Sequence, residues 1–370
     1  MRIAHISDCY APRTGGIETQ VRSLARAQAS RGDEVHVITA TPGHGDVRSG
    51  SDVDGEVDLH RVAARLPAEI PIHPRTGHHV RSILEALNPD VIHLHTGVIS
   101  PFAWGGLRVA AGLGVPRVVT VHSMWGPLAR PGHRLAWRVL PWLTEGTVVT
   151  AVSHTAAEAI QSSLGIDVGV IPNGIDPQQW PATMATGEPG VVRIVSVARL
   201  APRKRISALL DVLFRASLRL DPDVEVRATI IGDGPERARA QRRIDAAGMS
   251  PRVSLVGRYT PEQIRSTYIE ADLFAQASVR ESFGIAALEA RTSGLPVIAR
   301  SQTGAGEFID DGVNGLLCAD DDGLVDAIAA LGVDPQRREA MRRFNVDHPP
   351  DQSWPRVLEV ADEVYAQAGA

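Results

Sequence analysis

The chain has 370 residues, of which 44% are hydrophobic and 22% charged, with a formal net charge of -5. That length exceeds one ordinary core and fits two domains, and the acidic balance gives no bulk attraction to a polyanion, so nucleic acid is not an expected partner. Two distant cysteines, Cys9 and Cys318, form neither a disulfide framework nor a CxxC metal site; with no apolar run long enough to span a membrane and no signal-like segment in "MRIAHISDCYAP", a cytoplasmic protein is expected.

Strand and helix patterns alternate from end to end, which argues for α/β architecture with parallel sheets. In the first half the expected strands are residues 2–8, 34–40, 57–63, 90–96, 117–122, 148–153 and 168–172, several of them apolar on both faces as buried parallel strands are. Between the first two, "IETQVRSLARAQASRG" puts Ile17, Val21, Leu24 and Gln28 on one helical stripe and stops at Gly32. This is a βαβ unit opened by the double glycine Gly15–Gly16. A stretch rich in Pro, Gly and Asn, residues 173–190, reads as a boundary, dividing the chain into domains 1–172 and 173–350 with a terminal amphipathic helix in 351–370. The second domain repeats the pattern, with strands expected at 192–198, 226–232, 253–257, 272–278 and 296–300. Two doubly wound domains in tandem imply a cleft, and ligands of such folds sit at the carboxyl ends of the strands.

The block "SVRESFGIAALEARTSGLPVIAR" is the most informative. Its short "SFG" turn lets a helix begin near Gly284, and the unpaired N–H groups and dipole at such a tip attract anions. A phosphate could dock at Phe283, Gly284 and Ile285, with Glu289 inside the first turns within reach of a ribose and Glu281 facing what lies beyond the phosphate. His122 closes an apolar strand, at the edge where sites form. His93 and His95 share a strand face, yet no third ligand is evident in the sequence, and they read as structural or lining residues.

These motifs carry a resemblance. "ESFGIAALEA", "SGLPVIA" and "GEFIDDGVNGLL" resemble the donor-binding signature of the retaining GT-B glycosyltransferases of family 4 (glycosyl transferases group 1). "TGGIETQVRSLARAQASRGDEVHVIT", "DVIHLHT", "VTVHSMW", "TAVSHTA", "VIPNGID" and "SWPRVLEVADEVY" extend the likeness over nearly the whole chain. It implies two Rossmann-like domains facing across a cleft, the first on the acceptor side and the second holding a UDP- or GDP-linked sugar as co-substrate, with no metal and no other cofactor. It also implies roles. Arg199 and Lys204 would hold the diphosphate, Glu289 the ribose and Glu281 the sugar hydroxyls. Phe283, Gly284 and Ile285 would give backbone N–H groups to the phosphate, Gly15 and Gly16 would form the loop approaching the donor, and His122 would lie beside the donor sugar. The terminal helix would cross back to the first domain. Two departures stand out: Arg205 follows the lysine where the family often has glycine, and the later glycine pair appears as "TGAGE".

Lys204 is the one lysine among 38 basic residues, and an ammonium meets phosphate oxygens as a compact point charge where a guanidinium is a broad fork. Fixed positive charge and N–H dipoles around a departing diphosphate are the main help such a site can give. The resemblance implies that the acceptor hydroxyl attacks from the leaving-group face, with retention. The stretch "LARPGHRLAWRVLPWL", residues 128–143, places Arg130, Arg134 and Arg138 on one stripe with Leu135, Trp137 and Trp142 elsewhere. Basic residues with tryptophans suit an anionic membrane surface and a lipid-linked or phosphorylated acceptor, and a solvated arginine face over a packed helix fits the same residues. A sugar-nucleotide epimerase and a non-catalytic nucleotide-sugar binding subunit share this architecture; acid/base residues around the sugar would mark the first, and loss of Glu281, His122 or the basic pair the second.

Overall fold

A computed structural model describes residues 1–43, 49–64, 73–125, 130–140, 145–184, 188 and 190–370. They form two compact units, Met1–Gly174 with Trp354–Ala370, and Ile175–Ser353.

The first unit is built on strands β1 (Arg2–Ser7), β2 (Glu34–Thr39), β3 (Ser49–Asp54), β4 (Val57–Val62), β5 (Val91–Thr96), β6 (Arg117–Val121), β7 (Thr147–Ala151) and β8 (Gly169–Val170). Their order is β3-β4-β2-β1-β5-β6-β7-β8. All neighbours are parallel except the edge pair β3 and β4, an antiparallel addition that the reading of purely parallel sheets missed. Helices α1 (Gly16–Ser30), α2 (Thr76–Leu87), α3 (Pro101–Leu113), α4 (Arg130–Val139) and α5 (His154–Leu164) connect the strands. Their ends follow local chemistry: Ser153 caps α5 by accepting from Ala156 N–H at 3.0 Å, and Gly114 and Gly165 end α3 and α5 in the left-handed region. Asp8, just past β1, caps α3 from outside by accepting from the N–H groups of Phe102 and Ala103 at 3.1 and 3.2 Å. Gly106 is required where α3 lies on β1, because a Cβ there would stand 2.9 Å from Ile6.

The second unit carries β9 (Val191–Val197), β10 (Glu225–Ile231), β11 (Val253–Gly257), β12 (Leu273–Ala275), β13 (Val297–Arg300) and β14 (Gly315–Cys318), in the order β11-β10-β9-β12-β13-β14. Every pair in it is parallel. Around the sheet lie α6 (Ile206–Ser217), α7 (Arg237–Ala246), α8 (Pro261–Glu270), α9 (Ile285–Thr292), α10 (Asp321–Val333) and α11 (Pro335–Asp347). Leu209, Leu210 and Leu213 of α6 pack with Ile230, Ile298 and Leu331 in one core. A Thr260–Gln263 capping box starts α8, and Asp320 and Asp334 cap α10 and α11. Strand β14 lies outside the expected set, and β8 and β12 are shorter than the apolar runs that signalled them.

Helix α12 (Trp354–Gln367) belongs to the first unit. Its Val357, Leu358, Ala361 and Tyr365 share a core cluster with Ile3, Leu24, Val118 and Ile171, each large apolar side chain contributing about 1.5–3 kcal/mol by burial. The helix starts with Trp354 against Gly174, where an added Cβ would lie 2.6 Å from the indole. Among the described residues no helix is long and apolar enough to cross a membrane.

Candidate functional site

In the second unit four segments meet at the strand ends. Strand β9 runs into the loop that carries Arg199, which is exposed and, among the described residues, makes no ion pair. A single 3-10 turn, Pro202–Lys204, follows, so Lys204 sits just before α6 rather than in its first turn. The ammonium of Lys204 pairs with the Glu281 carboxylate, and both side chains are mostly buried. The residue after the lysine adopts φ 52°, ψ 44°, the left-handed region where glycine is favoured. Arg205 keeps that bend without being glycine, and its guanidinium anchors the turn on the Asp321 carboxylate at 2.9 and 2.7 Å and on the Ala277 carbonyl at 3.1 Å.

Glu281 leads directly into the tip of α9. Gly284 caps that helix at φ 101° with no side-chain cap, a conformation that costs a residue bearing Cβ about 1–2 kcal/mol. Phe283 is buried against Phe308, ring centroids 5.5 Å apart, which fixes the turn from below. The "TGAGE" loop presses on it from the side: a Cβ on Gly304 would stand 2.3 Å from the Ser282 carbonyl oxygen and 2.6 Å from the Phe283 Cα. Ile285 opens the helix and Glu289 lies one turn further in, where burial pushes its carboxyl up to about 8. Sequence reading missed Gln276. Its buried Nε2 has no hydrogen-bond partner among the described residues, and it lies 3.5 Å from where a Cβ on Gly284 would be. The signal was a polar residue at the end of the apolar run "DLFAQAS".

The first unit holds the remaining residues. Gly15 is the extended N-cap of α1 (φ 175°) and Gly16 its first residue; a Cβ on Gly15 would meet the Glu18 carboxylate at 2.4 Å. His122 follows β6, its N–H donating to the Thr96 carbonyl at 2.8 Å, and burial lowers its imidazole to about 4. Its Nε2 lies 3.0 Å from His95 Nδ1, and Gln20, His93, His95, Thr120 and Asn173 line a small cavity with it. His5, unremarked in the sequence, joins His93 and His95, with one ring nitrogen of each within 4.8 Å of the others. Of the basic stretch, Arg130 and Arg134 are exposed, as is Leu135, while Trp137 packs on the core. Trp142 and the Arg138 side chain lie outside the described residues.

Paired doubly wound parallel sheets, with an uncapped glycine-led helix and a lysine–glutamate pair at the strand ends of the second, define a GT-B architecture. Anabaena HepE, solved in complex with UDP and glucose, shares that fold with a TM-score of 0.73 at 20% identity over 100% of each chain. The chain belongs to the family 4 glycosyltransferases: the pattern of Glycosyltransferase Family 4 matches residues 14–179 and that of Glycosyl transferases group 1 matches residues 187–345. Among relatives, it is 29% identical to a phosphatidylinositol N-acetylglucosaminyltransferase subunit of Arabidopsis thaliana over 100% of this chain and 82% of that one. It is 28% identical to a GDP-mannose-dependent alpha-mannosyltransferase of Mycobacterium tuberculosis, covering 97% and 94%.

Proposed function

We propose that the protein transfers a hexosyl group from a UDP- or GDP-linked sugar to an acceptor hydroxyl, with retention of configuration and without a metal ion. The observation that carries this is the convergence of Lys204, Glu281 and the glycine-led tip of α9 in one place. Arg199, Lys204 and the N–H groups of Phe283, Gly284 and Ile285 supply positive charge and dipoles to the departing diphosphate. The Gln276 amide adds a neutral donor, Glu289 accepts from the ribose, and Glu281 turns from the ammonium to the sugar hydroxyls once the phosphate replaces it. Gly15 and Gly16 form a bare turn beside the donor, and His122 orients a sugar hydroxyl. The acceptor attacks on the leaving-group face as the sugar becomes oxocarbenium-like.

The relatives named for phosphatidylinositol and for GDP-mannose support a nucleotide-sugar donor and a lipid-linked or phosphorylated acceptor. The exposed Arg130 and Arg134 support peripheral contact with the anionic inner face of a membrane. Thermal shift with UDP, GDP and their sugars tests the donor, followed by turnover in EDTA and the anomeric configuration of the product. If no nucleotide raises Tm, or the product is inverted, the reading fails; vesicles of anionic lipid at low salt test the membrane contact by cosedimentation.

A further inference from the structure

The first unit carries a line of buried polar side chains that the transfer reaction does not itself call for. From His122 Nε2 the line passes to His95 Nδ1 at 3.0 Å, from His95 Nε2 to His5 Nδ1 at 2.9 Å, and from His5 Nε2 to Gln28 Oε1 at 2.7 Å. The other end of the same amide continues it. Gln28 Nε2 donates to the Tyr365 hydroxyl at 3.0 Å, that hydroxyl lies 2.8 Å from His93 Nδ1, and His93 Nε2 lies 2.7 Å from Thr120 Oγ1. Thr120 meets Thr150 at 2.7 Å, and Thr150 donates to the Val119 carbonyl at 3.4 Å. Six elements contribute, β1, β5, β6, β7, α1 and α12, and His5, Gln28, His93, Thr150 and Tyr365 are wholly buried.

Hydrogens in such a line cannot be placed one at a time. Burial holds His5 and His122 near 4 and keeps His93 and His95 well below the ordinary histidine value, so all four rings are neutral at neutral pH. A neutral imidazole has one N–H and one lone pair. The Gln28 carbonyl oxygen only accepts, so His5 carries its proton on Nε2 and its Nδ1 accepts from His95 Nε2–H. His95 Nδ1 then accepts from His122 Nε2–H. On the other side the amide NH2 only donates, so the Tyr365 hydroxyl donates to His93 Nδ1, and His93 Nε2–H passes the direction through Thr120 and Thr150 to a backbone carbonyl. Turned over, the amide would reverse every bond together, and Thr150 would have to give its hydrogen to Thr120 instead of Val119. The lone pairs of His5, His93 and His95 are each occupied by a neighbour's hydrogen in this arrangement, so the three-histidine cluster offers none to a cation.

We infer that Gln28 is a positioning residue that fixes His122 as its Nε2–H tautomer through His5 and His95, so that Nδ1 is the accepting nitrogen of His122. The use of that acceptor rests on the proposed transfer reaction; the polarity of the line does not.

The test is two-bond 15N–1H correlation spectroscopy of the full chain with 15N-labelled histidine at pH 7.5, which distinguishes Nδ1–H from Nε2–H rings, with single histidine substitutions for assignment. His5, His93, His95 and His122 should all be Nε2–H. In Gln28→Glu the carboxylate accepts from both sides, so His5, His95 and His122 should stay Nε2–H while His93 alone converts to Nδ1–H. In Gln28→Leu the His122 signals should depart from the Nε2–H pattern of the parent. With a nucleotide sugar that turns over, Gln28→Leu should lower kcat about tenfold with donor KM within twofold, the effect of losing one oriented hydrogen bond, and Gln28→Glu should keep kcat within threefold. An Nδ1–H signal for His122 in the parent, a Gln28→Glu spectrum in which His93 does not change alone, or an unaltered kcat in Gln28→Leu overturns the inference. The spectra are read without substrate, so they judge the line of hydrogen bonds separately from the transfer reaction.

Discussion

Glu289 offers a prediction whose sign and size follow from its surroundings. Burial raises its carboxyl from 4.5 to about 8. The folded protein therefore binds this proton more tightly than the unfolded chain does, and the associated stability is fully present below pH 4.5, then lost as pH rises through 8. Linkage gives a loss of about 1.3 kcal/mol between pH 7 and pH 9, and about 2.5 kcal/mol more between pH 5 and pH 7. For a unit of this size the upper window corresponds to a fall in Tm of about 3–5 °C. Comparison with a variant isolates the effect, because the other groups that titrate differently in the folded and unfolded chain over this window, the buried histidines near 4 and the thiols of Cys9 and Cys318 raised to about 11, are common to both proteins. Thermal melts of the parent and of Glu289→Gln at half-unit steps from pH 7 to 9 are the assay. The parent should lose about 1.3 kcal/mol more than the variant between pH 7 and pH 9, and parallel profiles would refute the reasoning.

Lys204→Ala should lower kcat/KM for the nucleotide sugar by about 10- to 100-fold, the value of a charge-assisted hydrogen bond. Lys204→Arg should recover only part of it, because the larger fork must fit a mostly buried position beside Glu281; steady-state kinetics decides, and full activity of the arginine variant would show that charge alone suffices. Gly304→Ala drives a Cβ into the Ser282–Phe283 backbone and should cost about 1–3 kcal/mol by denaturant unfolding, together with weaker stabilisation by UDP or GDP. Tyr365→Phe removes the hydroxyl shared by Gln28 and His93 and should cost about 1–3 kcal/mol through the buried groups left unpaired; a loss below about 0.5 kcal/mol would mean that water takes the hydroxyl's place.

The central strands were legible because both faces of a buried parallel strand are apolar, as in "RIAHIS" and "VRIVSV". Strand β3, "SGSDVD", was not, since an edge strand with one partner needs no apolar run, and β14, "GLLC", is too short to stand out. The glycine-led helix at Gly284 could be placed from its turn chemistry, whereas the pairing of Lys204 with Glu281 spans 77 positions and is set by the packing of two loops. Gln28 was visible as part of a helical stripe and therefore as a buried position. Its partners were not, because His5 and Tyr365 reach it from two other elements, β1 and α12, and hydrophobic periodicity says nothing about which polar groups a fold will bring together.

Helix α12 follows the second unit in the chain yet completes the first. During synthesis the strands around Ile3 and Val118 emerge long before Val357 and Tyr365 can cover them, and the Gln28 amide waits for the hydroxyl that accepts from it. Folding from the N-terminus onward therefore leaves the unit begun first open until the other has been made. A chain stopped short of Trp354 would keep every residue of the second unit and lack the helix that closes the first, so full-length translation is built into the assembly of the His122 side of the enzyme.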